Sequence, residues 1–169
     1  MAIGLLLVRL VFGGLMAAHG SQKLFGWFGG YGLSGTGPFF EQLGFRPGRL
    51  FAAAAGMTEV LGGVLVAVGV GGPIGPAFMV SVMLVAVVSV HWGHGLFAAT
   101  NGIEVPLLYA AGAVALAFTG FGRYSLDALF DLTSMWTTAN AGIALGLAAV
   151  GAIANLAARQ SAVPSSVNA

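Results

Sequence analysis

The chain has 169 residues, of which 58% are hydrophobic and 28 are glycine, against only six Lys plus Arg and five Asp plus Glu. A soluble domain carries about a quarter of its residues as charges to wet its surface, so lipid is the solvent implied here and the fold class is an all-α, polytopic membrane helical bundle. The net charge of +1 offers no basic patch for nucleic acid, and the absence of cysteine removes disulfides, thiolate metal sites and any dithiol relay of the chain's own.

Apolar runs of about 20 residues match an approximately 30 Å hydrocarbon core. They predict five spans, at roughly 3–22, 50–70, 74–93, 104–121 and 134–157. The first follows no positively charged leader and shows no convincing cleavage site, so it reads as a retained span. The segment 24–49 is rich in glycine and aromatics. Within it, Ser34 or Thr36 is placed to cap a short interfacial helix from Gly37 to Leu43, with Phe39, Phe40 and Leu43 toward lipid, Glu41 and Gln42 toward water, and Gly44 as its stop. Trp27, Phe28, Tyr31 and Phe45 are expected among the headgroups, so the segment serves as an anchor or as a lid over a pocket. GVGGPIGP makes a tight turn between spans two and three, and HGLFAATNGIEVP joins three to four. Small residues at Gly13 and Ala17, Gly56 and Gly63, and Gly142 and Gly146 allow close helix contact. The resulting division is 1–130 as a membrane core, 131–158 as an additional transmembrane helix and 159–169 as a disordered polar tail.

Two charges lie deep in apolar runs, Arg9 and Glu59, where each costs roughly 2.5–3.5 kcal/mol on insertion scales. With the N-terminus on side A, a rise of 1.5 Å per residue puts Arg9 about 9 Å below A and Glu59 roughly 16 Å below it. A guanidinium reaching roughly 6 Å covers that gap, so the expectation is an intramembrane Arg9–Glu59 ion pair. Ala55, Gly56, Gly62 and Gly63 flank Glu59 with a packed interior face. The same count brings His19 and His91 to one depth near the opposite side, B, with Lys23, His94 and Glu104 at that boundary. These five form the expected ligand-binding layer, a polar mouth on side B. His91 and His94 are spaced i, i+3 as for a shared metal, but no third ligand is placed, so neither metal nor haem is expected. Arg123, Tyr124, Asp127 and Asp131 fall on side A, in a capping and orienting role. No phosphate loop, Ser/His/Asp arrangement or H-E-x-x-H zinc motif is present.

The ordered pattern R-L-x-x-G-x-x-x-x-x-H-G-x-x-K (Arg9, Leu10, Gly13, His19, Gly20, Lys23), then G-x-x-E-x-x-G-G (Gly56, Glu59, Gly62, Gly63), His91, G-x-E (Gly102, Glu104) and G-R-Y-S-L-D (Gly122 to Asp127) resembles the DoxX family of small integral membrane proteins over about residues 5–130. The resemblance implies a four-helix membrane core. It also implies a link to quinone, sulfur or oxidative-stress metabolism, because relatives include the membrane subunit of an archaeal thiosulfate:quinone oxidoreductase. The fifth span departs from that pattern, as a peripheral helix or a homo-oligomer contact.

Three functions are consistent with these features. The first is a redox-linked subunit whose side-B mouth admits a quinone headgroup or a small oxidisable anion, held by His19, His91 and Lys23 and flanked by Trp92 and Phe97. The second is a non-catalytic scaffold for a partner redox or detoxification enzyme. The third is a small proton or solute transporter. Lys23, Arg46, Arg49 and Arg159 on side B against Arg9 and Arg123 on side A place B in the cytoplasm of a multi-pass cytoplasmic (inner) membrane protein.

Overall fold

A computed structural model describes residues 2–160, and residues 161–169 of the tail expected at 159–169 lie outside the described residues. The described chain contains no strand. Its helices are α1 (Ala2–Phe25), α2 (Gly32–Gln42), α3 (Gly48–Val68), α4 (Ile74–Ala86), α5 (Glu104–Thr119), α6 (Leu126–Leu129) and α7 (Thr138–Ala157). Beyond Ala86, α4 continues through a π turn at Val87–His91 and a 3₁₀ turn at Trp92–His94, so the apolar rod runs from Ile74 to His94.

Four rods are long and apolar enough to cross a bilayer: α1, α3, α4 with its extension, and α7. The fourth expected span is the exception. Helix α5 has 16 residues, a length of about 24 Å, short of the hydrocarbon thickness. The last span begins at Thr138 rather than 134, where the Thr137 hydroxyl accepts a hydrogen bond from the Asn140 N–H (3.0 Å).

Helices α1 and α3 pack antiparallel through glycine. A Cβ on Gly13 would stand 2.5 Å from the Gly63 carbonyl oxygen, and one on Gly20 would stand 2.5 Å from that of Gly56. No side chain fits there, so backbones touch and the register is set. The opposite face of α1, with Leu7, Leu10, Val11 and Leu15, is exposed to lipid. Helix α7 lies on α4 through Ala141, Ala148 and Ala152, and Ala148 joins Met16, Val66, Met79 and Leu116 in one hydrophobic cluster. Gly142 and Gly146, expected at a helix contact, have no neighbour within 4 Å of their Cβ positions. The face of α7 that packs is its alanine face.

The interfacial helix is longer than expected. It starts at Gly32, and neither Ser34 nor Thr36 caps it, because the N-cap position is Tyr31 without a side-chain bond. Gly44 takes the left-handed φ of +92° after its last turn, as its assignment as the stop requires. A Cβ on Gly48 would lie 2.1 Å from the Gly37 carbonyl oxygen, and Glu41 Oε1 accepts from the Gly48 N–H (3.2 Å). Glu41 therefore caps α3 and α2 is docked on it. Trp27, Phe28 and Tyr31 are exposed as expected of interfacial rings, but Phe45 is buried against Phe40 and Phe51. The end of α7 reaches the same place: Arg159 Nε donates to the Leu43 carbonyl (2.9 Å), its guanidinium lies 5.5 Å from the Phe45 ring centroid, and the Gln160 N–H donates to the Gly44 carbonyl (2.8 Å). These first two residues of the expected disordered tail are thus held in place.

Candidate intramembrane binding cavity

Helices α1 to α5 and α7 enclose a cavity of about 790 Å³ on the side-B half of the bundle. Its walls are largely apolar, with Phe40 and Leu43 from the α2 region, Phe51 from α3, Met83 from α4 and Tyr109 from α5. A few polar groups converge in it: His19, Lys23, Glu59, Ser89, His91, Tyr109 and Asn155. That combination of greasy wall and sparse polar contacts is the usual build of a small-molecule site.

The central polar element is an ion pair, Lys23 with Glu59. The ammonium donates to both carboxylate oxygens. Glu59 is 4% exposed and Lys23 24%, so the acid is the inner member and the amine the accessible one. The expected Arg9–Glu59 pair does not form. The seam that brings Gly20 against Gly56 and Gly13 against Gly63 places Glu59 opposite residues 17–20 of α1. Arg9 is then some ten residues, about 15 Å, farther toward side A. Counting depth from assumed helix ends missed this because α3 overshoots the end of α1 on side B. Glu59 belongs to the histidine layer rather than beneath it.

Arg9 occupies a separate knot on side A. It is 1% exposed, its Nη2 donates to the Tyr124 carbonyl oxygen, and it lies 5.6 Å from the Phe121 ring centroid. The carboxylate whose charge acts on it is Asp127. Asp127 is fully buried and accepts from the Gly71 and Gly72 N–H groups (2.9 Å each) and from Trp136 Nε1 (3.1 Å). Gly69 completes the knot: it takes φ +73°, and a Cβ there would fall 1.8 Å from Arg9 Nη1. The capping role expected for the 123–131 segment thus centres on Asp127, which ties the α3–α4 turn to the approach to α7.

The remaining expected site residues divide. His19 and His91 line the cavity, and His91 Nδ1 lies 2.8 Å from the Asn101 carbonyl oxygen. His94 and Glu104 do not line it. Glu104 Oε2 accepts from the Ala98 N–H (2.7 Å), while the His94 carbonyl accepts from Thr100 Oγ1 (2.7 Å); both organise the 95–103 loop. The α-helix also does not persist through the His91–His94 spacing, because 3₁₀ geometry begins at Trp92. Among the described residues no cluster of three metal-binding side chains occurs. Trp92 and Phe97, expected beside a ring, are exposed and outside the cavity. The aromatic residues that line it are Tyr31, Phe39, Phe40, Phe45, Phe51 and Tyr109. Sequence reasoning missed Ser89, Tyr109 and Asn155. The signal for Asn155 was the one that flagged Arg9 and Glu59, a polar side chain inside an apolar span.

A helical membrane bundle with a buried ion pair in a lipid-depth cavity defines the class of protein. Residues 4–92 match the family model described as DoxX. This is more than half of the chain, and the chain belongs to the DoxX family. The matched segment contains Arg9, His19, Lys23, Glu59, Ser89 and His91; the G-x-E and G-R-Y-S-L-D motifs, Tyr109 and Asn155 lie beyond it. No curated protein and no solved structure matches the chain.

Proposed function

We propose that the protein is a redox-linked subunit of the cytoplasmic membrane whose cavity takes the headgroup of a membrane quinone. The observation that carries this reading is the Lys23–Glu59 pair set in an apolar cavity of about 790 Å³. The pair is neutral overall, so a small anion would have to displace Glu59 from Lys23 in a poorly solvating site. A neutral ring with carbonyl oxygens needs no such exchange. Lys23 has a third N–H to donate, His19 lines the same cavity, and Phe40, Phe51 and Tyr109 supply apolar faces.

A quinone here would supply two-electron, two-proton redox chemistry. The chain's part is to hold the ring, exclude water and present exchangeable protons on His19 and Lys23. Without cysteine it has no dithiol relay, and the electrons are taken from a partner redox enzyme. Protein isolated without delipidating detergent is expected to release about one quinone per chain on solvent extraction. Extracts free of quinone, from protein that also fails to bind added quinone, would remove this reading in favour of a scaffold.

The cavity reaches the α1–α2 loop at Gly29 to Tyr31, on the end of the bundle where Arg159 meets Leu43. Lys23, Arg46, Arg49 and Arg159 make that end the more basic one, and in this reading it faces the cytoplasm. A protease site inserted beside Tyr31 is then cut in inverted vesicles and protected in sealed right-side-out ones. The reverse pattern would invert the orientation.

A further inference from the structure

We infer that Asn155, on the helix that lies outside the family match, is a second ligand-binding point, and that the ligand is a ring carrying oxygen functions at opposite, 1,4-related ends. The inference rests on the quinone reading and narrows it.

Asn155 is the only polar side chain in the last three turns of α7 and lines the cavity. Within the described residues its amide has no hydrogen-bond partner. The residue is half-buried and lines the cavity, so its amide donors and acceptor are open to a ligand there. The Ser89 hydroxyl also lines the cavity, and its oxygen is buried without a partner within the described residues. Ser89 sits within the π turn of the α4 extension, and such turns recur at functional sites.

Helix registers give the spacing. A Cβ on Gly151 would lie 3.9 Å from Ser81 Oγ, and one on Gly62 would lie 2.9 Å from Phe78 Cβ and 3.4 Å from the Met79 nitrogen. Glu59, about one turn from Gly62 toward side B, is therefore roughly level with Ser81. Asn155 is one turn beyond that level, an axial offset of about 6 Å, with Ser89 a further turn along. Lys23–Glu59 on the α1–α3 wall and Asn155 on the α7 wall thus offer two hydrogen-bonding points in one cavity, offset by about 6 Å along the helix axes. A 1,4-dioxygenated ring addresses both at once, whereas a ring with one oxygen function reaches only one.

The test uses the full-length protein in nanodiscs and two probes with the same short alkyl tail, a 1,4-benzoquinone and the matching cyclohexenone with a single carbonyl. Asn155→Leu is expected to weaken the benzoquinone about tenfold, the worth of a good hydrogen bond. It should leave the cyclohexenone unchanged. Ser89→Ala gives a smaller loss with the same selectivity. Leucine suits an apolar helix, and unaltered thermal unfolding of the variant confirms that the fold is kept; if it unfolds early, Asn155→Ala takes its place. If the parent binds benzoquinone and both variants bind it equally well, or if both probes weaken together, the second binding point is overturned while the quinone reading stands. A parent that binds neither probe overturns both.

Discussion

Asp127→Ala is expected to cost about 3–5 kcal/mol, the usual penalty for stranding a buried charge, and to lower the unfolding midpoint in detergent by on the order of 10 °C. The side chain is fully buried and accepts three hydrogen bonds, two from the α3–α4 turn and one from Trp136. Its charge also acts on Arg9, whose Nε and Nη1 have no partner within the described residues. Alanine removes all of this at once. Asp127→Asn retains an acceptor oxygen and is expected to fall between the two. If asparagine were as stable as the parent in thermal unfolding, the charge would be irrelevant and the knot would be held by hydrogen bonds alone.

The second large effect separates a working ion pair from a merely adhesive one. Glu59→Gln leaves the Lys23 ammonium without its counter-charge in an apolar cavity and is expected to destabilise by about 3 kcal/mol. The double change Lys23→Met with Glu59→Leu removes both charges, and buried pairs exchanged for apolar residues of similar size are commonly neutral in stability. The double variant should therefore unfold near the parent's midpoint. Its affinity for a benzoquinone should nevertheless fall about 10- to 100-fold, because the charge-assisted hydrogen bond is gone. Recovery of both stability and binding would mean that the pair only holds α1 to α3.

Much of the fold was legible because hydropathy reports burial in lipid directly. The four long rods, the tight glycine turn after α3 and the aromatic interfacial segment all follow from single-residue character. Pairing was harder. Depth counting treated helix ends as coplanar and joined Arg9 to Glu59, yet the glycines contained the correction: Gly13 and Gly20 are seven residues apart, as are Gly56 and Gly63. An antiparallel seam built on that equal spacing sets Glu59 beside the His19 turn, within reach of Lys23. Asn155 is not legible in the mean hydropathy of α7, in which one amide among alanines and leucines disappears. The burial of Phe45 is not legible locally, because Phe40 and Phe51 pack on it together with Arg159, more than 100 residues later.

That arrival bears on how the protein is made. Leu43 and Gly44 enter the membrane region early in synthesis, but the groups that hold them, Arg159 Nε and the Gln160 N–H, follow more than 100 residues later. Before α7 is made, the nascent chain has three long apolar rods, the shorter α5 and its ion pair without the wall that bears Asn155. The cavity wall and the contacts that hold Leu43 and Gly44 are thus completed only when α7 is in place. A chain stalled before it would insert and pass a topology check while holding an unfinished site.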